Sequence, residues 1–297
     1  MTTAGAQTTT IGVVVHPHRP IDKALDALRK WAEGRGQVMR QVLVDGQDRR
    51  VAEPSDPGDC GLIVAVGGDG TVLAALHQAA PTNRPVLGVA CGSLGALTSV
   101  QASDITEALD RVASGEAQAR ALPALSVECD GTHLGDAFND LAVVRGGAGQ
   151  VILDIDVDGG PYARIAGDGV VVATPLGSSA YTLAARGPLV TATDPLIVVT
   201  PLAPHAGNVP PLVVGGGTPL SIGVDGGWAG ARIELDGRVV DTDGPQGMRR
   251  LNITLRPDAV RLYDLDGETL IAGLRRRGVI ADTPRMRVRA AREHRGG

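Results

Sequence analysis

The chain has 297 residues, enough for one large domain or two ordinary ones, and its 43% apolar and 21% charged side chains are those of a globular protein with a real core. Only 2% of residues are aromatic and the net charge is −5, which excludes the stacking rings and positive surface that nucleic-acid binding requires. Cys60, Cys91 and Cys129 are odd in number and form no CxxC pair, so a disulfide framework and a zinc ribbon are both excluded and a reducing, cytoplasmic compartment is expected.

The opening MTTAGAQTTT lacks the basic and apolar regions of a signal peptide, and no apolar run approaches the length of a membrane span. "IGVVV" (11–15) predicts a buried strand and residues 21–33 an amphipathic helix. "QVLV" (41–44), "LIVAV" (62–66) and "VLGVA" (86–90) predict strands, while 72–79 and 105–112 predict helices, with "AEPSDPGD" (52–59) a polar loop. This alternation predicts a parallel sheet with helices on its faces. Beyond about residue 120, short Val/Ile/Leu runs broken by turns ("LSVECDG", "VILDIDVDGG", "ARIELDGRVV", "LNITLRPDA") predict an antiparallel sandwich, interrupted by a short helix in "GSSAYTLAARG" (177–187). The expected domains are 1–119, α/β and nucleotide-binding, and 120–269, an all-β sandwich. The last stretch, 275–297, carries eight arginines against Asp282 and Glu293. It reads either as a solvated tail or as an electrostatic contact with a nucleotide or a neighbouring subunit.

The chemistry concentrates in "GGDGT" (67–71), placed directly after "LIVAV" and before a helix, at the carboxyl edge of the expected parallel sheet, where open α/β folds bind ligands. Glycines with positive φ and a helix N-terminus suit a polyphosphate. Lys23 and Lys30 are the only lysines, which excludes a Walker loop and a protein-kinase lysine, so phosphate must be met by backbone N–H groups, arginines and a metal. Asp69 among phosphates then needs a bridging cation or a role as base for an incoming hydroxyl. A simple helix cap is the plain alternative, since Asp-Gly occurs nine times and is the usual hairpin dipeptide.

Two more segments add weight. "FNDLAVVR" (138–145) offers Asn139 and Asp140, an amide and a carboxylate able to read an adenine edge and a ribose diol, or else a turn into a strand. In "GDGVVVATPLGSSAYTLAARGP" (167–188), Asp168 precedes a strand that runs into Gly177, Ser178, Ser179 and Tyr181 at a helix start. "GSSAY" is no GxSxG elbow, and Ser178 has no partnering base in view, so a serine hydrolase is not supported. His16, His18 and His205 read as turn or structural imidazoles as readily as site residues, and Arg145 and Arg186 as surface ion pairs.

Together the three segments resemble the NAD kinase family, within the superfamily that includes diacylglycerol and sphingosine kinases. GGDGT is shared across that superfamily, whereas "DGVVVATPLGSSAY" is specific to the NAD kinase branch, and Pro204–His205 matches a further family pattern. The resemblance runs from about residue 62 to 214, and looser patterning covers the rest. It implies an α/β domain completed by 270–297 and a β-sandwich, with the site between them. It implies that Asp69 serves phosphoryl transfer from ATP to the 2′-hydroxyl of the adenosine ribose of NAD, giving NADP. Gly67, Gly68, Gly70 and Thr71 would hold the ATP phosphates. Asn139, Asp140, Asp168, Thr174, Ser178, Ser179, Ala180 and Tyr181 would line the NAD cleft. A divalent cation such as Mg²⁺ is implied with no residue assigned as its ligand, as is a homodimer or homotetramer that binds small-molecule nucleotides but neither nucleic acid nor membrane. The chain departs from the family at Asp140 (usually Glu), Ala90 (Asn), Ala96 (Phe), Leu176 and Ser179 (Thr), Arg186 (a small residue) and Pro210 (Arg). These departures keep two rivals open: a lipid or other small-molecule kinase, and a non-catalytic NAD(P)-binding sensor.

Overall fold

Strands apolar on both faces are stable only when both faces are covered. The computed structural model describes residues 10–191, 195–205, 207–240, 248–265 and 267–284. The first part is β1 (Thr10–Val15), α1 (Asp22–Gly34), β2 (Val38–Gln41), β3 (Cys60–Gly67), α2 (Asp69–Ala79), β4 (Pro85–Ala90), β5 (Val100–Gln101) and α3 (Ile105–Ala113). There follow β6 (Ala119–Cys129), β7 (Thr132–Ala137), β8 (Asp140–Arg145), β9 (Val151–Val157), β10 (Gly160–Gly167) and β11 (Gly169–Ala173). The short α4 (Tyr181–Ala184) precedes β12 (Leu196–Leu202), β13 (Leu212–Gly215), β14 (Leu220–Asp225), β15 (Ala231–Leu235) and β16 (Arg238–Val239). The long β17 (Arg249–Tyr263) and α5 (Leu270–Arg276) come last.

Strands β2, β1, β3 and β4 pair in parallel in that order. Alternation along them sorts the apolar side chains. Ile11, Val13, Leu62, Val64 and Leu87 pack with Leu25, Leu28 and Trp31 of α1 and Ile105 and Leu109 of α3. Val14, Ile63 and Ala65 face the other way, onto Val72, Ala75 and Leu76 of α2. The α/β expectation therefore holds, with two boundary differences. The edge strand β2 lies at 38–41 rather than 41–44: an edge strand covered on one side tolerates polar residues, so its apolar signal is weak. Helix α2 starts at Asp69, three residues before the apolar pattern begins, because its first turn is made of poor helix formers.

The second half is a sandwich. Sheet β13-β12-β11-β8-β15-β16 is wholly antiparallel. It packs Leu141, Val143, Val170 and Val172 against Leu125, Val127, Leu153, Ile155, Ile222 and Ile253 of the facing strands. Those facing strands belong to the same sheet as the parallel strands. β17 makes the junction: 249–253 pairs antiparallel with β14, and 261–263 pairs parallel with β4, while β6 runs antiparallel along almost its whole length. "RPDA", which reads as a turn, is instead absorbed within β17 by a register shift between Arg256 and Val260.

Since β6 and β17 belong to both halves, loss of either destroys both cores. Urea unfolding followed by far-UV circular dichroism and by the fluorescence of buried Trp31 is expected to give coincident transitions. Leu125→Ala, truncating a fully buried β6 side chain, is expected to shift both together by about 2–5 kcal/mol.

Candidate functional site

Strand β3 delivers the chain into α2 with Gly68 as the residue before the first helical turn. The glycines here do not adopt positive φ. Close approach explains Gly67, where a Cβ would lie 2.2 Å from Thr71 Oγ1, whereas a Cβ on Gly70 would meet nothing within 4 Å. At the head of α2 the N–H groups of Thr71 and Val72 donate to the Gly68 carbonyl at 2.9 and 3.1 Å, while those of Asp69 and Gly70 precede the first helical hydrogen bond. The Arg19 guanidinium lies by the same turn, 3.4 Å from where a Gly68 Cβ would sit and 3.5 Å from that of Gly92. Arg49 fixes the backbone beneath it by donating to the carbonyl of Arg19 at 2.6 Å and of His16 at 3.1 Å.

Asp69 is partly buried and is not bonded to its own turn. Its Oδ2 accepts from Ala96 N at 2.8 Å and its Oδ1 from Leu97 N at 3.0 Å, both on the loop after β4. Each bond uses one lone pair and leaves another on each oxygen. The loop can approach this closely only because residue 95 is glycine; a Cβ there would lie 1.9 Å from Asp69 Oδ1. Arg277, just after α5, donates to the Gly95 carbonyl at 2.8 Å, so the end of the chain supports the loop from outside.

Asn139 and Asp140 stand at a corner where every backbone polar group is taken. Asp236 accepts from Phe138 N (2.8 Å) through Oδ2 and from Asn139 N (2.7 Å) and Asp140 N (3.1 Å) through Oδ1. The Phe138 carbonyl accepts from Thr174 Oγ1 at 2.6 Å, that of Asn139 from Thr174 N, and that of Asp140 from Asp236 N. The partly buried Asn139 side chain makes no hydrogen bond within the described residues, which leaves its amide for a ligand. Asp140 is 6% exposed. Burial, then the neighbouring Asp236 carboxylate, push its pKa up to about 7 against the opposing pull of the Tyr181 N–H.

In the Thr174–Tyr181 segment the hydroxyls mostly serve the loop itself. Ser178 is fully buried, donating to Pro175 O at 2.6 Å and accepting from Val190 N at 3.0 Å. Ser179 donates to Leu176 O at 3.0 Å. Gly177 packs so tightly on Asn139 that a Cβ would lie 1.9 Å from the Asn139 carbonyl oxygen. Ala180 and Tyr181 are exposed. Asp168 pairs with Arg145 at 2.7 Å, and both line a cavity of about 590 Å³ with Tyr181 and Arg232. A separate cavity of about 390 Å³ adjoins the Asp69-holding loop and is lined by Ala96, Leu97, Leu176 and Arg277 among others. Two of the departures from the family pattern, Ala96 and Leu176, thus meet in one space. Of the others, Ala90 is buried in β4, and Pro210 offers its carbonyl to the Tyr162 hydroxyl. His16 caps its own turn, its Nδ1 accepting from His18 N and Arg19 N, and His205 contacts Gln150. Of the arginine-rich stretch, Arg275 pairs with Asp282 and Arg276 with Glu268; residues 285–297 lie outside the described residues.

Residues 11–117 match the model of the ATP-NAD kinase N-terminal domain, and residues 138–254 that of the C-terminal domain. The chain belongs to the NAD kinase family. An NAD kinase of Nitratidesulfovibrio vulgaris (strain Hildenborough) is 34% identical over 284 residues, covering 91% of each chain. That of Symbiobacterium thermophilum is 36% identical over 63% of this chain and 69% of its own. The yeast NADH kinase solved with NADH has the same fold, with a TM-score of 0.80 at 21% identity over 94% of this chain and 89% of that one. So does the Archaeoglobus fulgidus NAD kinase solved with ATP, at 0.71 and 22% over 91% and 98%.

Two residues that the structure places at these segments, Arg19 beside the glycine turn and Asp236 at the Asn139 corner, were passed over in the sequence. Arg19 was findable from the lysine scarcity, which demands arginines near phosphate. Asp236 gives no separate signal, being one of nine Asp-Gly copies.

The raised pKa of Asp140 has a consequence for stability. Protonation is favoured in the folded chain, so this group's contribution is fully present below its ordinary value of 3.8 and is lost as pH rises through about 7. Comparing wild type with Asp140→Asn by urea unfolding between pH 4 and 8, the stability difference is expected to move against wild type by on the order of 3–4 kcal/mol as pH rises. A difference independent of pH contradicts the assignment.

Proposed function

We infer that this protein is an ATP-dependent NAD kinase, transferring the γ-phosphoryl group of ATP to the 2′-hydroxyl of the adenosine ribose of NAD and releasing NADP and ADP. Membership of the family over both domain models supports the reaction. The observation that carries the assignment of roles is the Asp69 carboxylate, partly exposed at the head of α2 and aimed by two N–H groups from a different loop.

Asp69 orients the ribose hydroxyl and accepts its proton as the new O–P bond forms. The ATP triphosphate lies against the first turn of α2, where Gly67, Gly68 and Gly70 leave the backbone bare of side chains, the Thr71 N–H closes the turn onto the Gly68 carbonyl, and the helix dipole favours anions. Arg19 supplies the positive charge that a lysine provides in other phosphate loops. Asn139 reads the adenosine part of NAD with its uncommitted amide, next to exposed Ala180 and Tyr181. Thr174, Ser178 and Ser179 hold the wall of the cleft in shape, and Asp140 braces it from beneath while its proton lets it donate as well as accept. Asp168, with Arg145, faces the far end of the dinucleotide.

Among the described residues no cluster of three or more His, Cys, Asp or Glu could hold a metal alone. Magnesium that arrives on a nucleotide needs only one or two carboxylates besides phosphate oxygens. Asp69, with a free lone pair on each oxygen, fits that need. When bound, such a cation neutralises charge on the phosphoryl group. Alignment and charge compensation matter more than base strength in a loose transfer. Among the described residues no helix is long and apolar enough to cross a membrane, and the protein acts in the cytoplasm as a homodimer or homotetramer.

Purified protein with ATP, magnesium and either NAD or NADH is expected to yield the phosphorylated dinucleotide, detected directly. Asp69→Asn is expected to lower kcat by at least the ~10²–10⁴-fold typical of general-base assistance. Its melting temperature should stay close to wild type, because only one of two N–H bonds loses its acceptor, a change of about 1 kcal/mol. Near-normal turnover by that variant rejects the role. Asn139→Ala is expected to raise KM for NAD about tenfold, with KM for ATP little changed, consistent with loss of one hydrogen-bonded contact.

A further inference from the structure

The residues assigned to the two substrates sit on different elements: Asp69 on α2, and Asn139 with Asp140 at the entrance to β8. Their separation decides whether a bound ribose hydroxyl meets the carboxylate. Beside the apolar packing of Phe138 against α2, one polar side chain connects the two elements. Asp236 belongs to the turn between β15 and β16, where φ of +51 at Asp236 and +74 at Gly237 make a two-residue hairpin turn. Its carboxylate points inward and is 1% exposed. Besides the three N–H groups of residues 138–140, it meets His77 Nε2 on α2 at 2.8 Å. A carboxylate surrounded by donors has only acceptors to offer, so Nε2 is the donor in this pair. The His77 ring also lies edge-on to Phe138, centroids 5.0 Å apart. His77 stands eight residues after Asp69 on the same helix, about 12 Å along its axis.

We propose that Asp236 and His77 are positioning residues that set the distance between the Asp69 helix and the Asn139–Asp140 corner. Neither touches substrate. The inference rests on the reading of Asp69 and Asn139 as the reacting and binding groups. With the link cut, Phe138 still shares a buried apolar cluster with Val72, Ala75 and Leu76 of α2, but that packing is non-directional and no hydrogen bond fixes the register, and a misplacement of about 1 Å in such an alignment costs on the order of 10²-fold in rate. The loss therefore falls on kcat rather than on KM, since each substrate keeps its own contacts.

The test uses His77, because Asp236 supports four donors and Asp236→Asn alone risks misfolding. His77→Ala and His77→Gln are compared with wild type in steady-state assays with NAD and ATP varied in turn, alongside thermal unfolding. The Gln side-chain nitrogen occupies the place of Nε2 and keeps the donor. His77→Ala is expected to lower kcat tenfold or more in the folded protein, with both KM values within about threefold. His77→Gln is expected to recover kcat to within about threefold of wild type. The proposal is overturned if His77→Ala retains wild-type kcat, or if His77→Gln is as impaired as His77→Ala. Asp69→Asn, assayed in parallel, separates the two levels: if it is inactive while His77→Ala is normal, only the positioning role is lost. If it is active, the reading of the site itself fails.

Discussion

Burying a carboxylate without partners is among the costliest acts in folding, so a buried one dictates its surroundings. Asp236 is such a group, and four donors converge on it: three successive backbone N–H groups of residues 138–140 and the His77 imidazole. The corner it organises then has no backbone group left over. Thr174 and the tight seat of Gly177 on Asn139 fasten the next segment to the same corner. The geometry of this corner, and of its junction with α2, follows from satisfying this one charge.

The sheet edge that carries Asp69 is built by a different set of contacts. Parallel strands with helices on both faces leave their carboxyl ends as the place where loops gather. There β3 presents Asp69, and the loop after β4 returns to hold it through Ala96 and Leu97. The acid is thus aimed by backbone, which no side-chain rotamer can loosen. Arg277 anchors the same loop from just after the last helix by donating to the Gly95 carbonyl, so the end of the chain supports the loop that holds the carboxylate.

Much of this was legible in the sequence because period and apolarity report directly on burial. The runs at 11–15, 62–66 and 86–90 are buried strands since nothing else can hide such segments. GGDGT and the 167–188 segment stood out as candidate site segments through their unusual spacing of small and polar residues. What escaped was non-local. Asp130–Gly131, Asp158–Gly159 and Asp236–Gly237 have the same dipeptide and nearly the same backbone angles. Only the third turns its carboxylate into the protein, and that depends on α2, more than 150 residues earlier in the chain. The joining of Pro257–Asp258 into a long strand was likewise hidden, because a bulge cancels what the local sequence asks for. Ser178 shows the converse: a hydroxyl in a site motif reads as a ligand contact until its neighbours take both of its bonds.

The continuous run of β17 from one half to the other has a bearing on how this protein can move. Two lobes joined by a flexible linker close on substrates by bending at a hinge. Here the lobes share a beam, bonded along its length to β6 and at its two ends to β14 and β4. Bending there would tear a sheet. Capture and release of nucleotides must therefore be accomplished by the loops and side chains that rim the cleft, while the frame beneath them stays stiff.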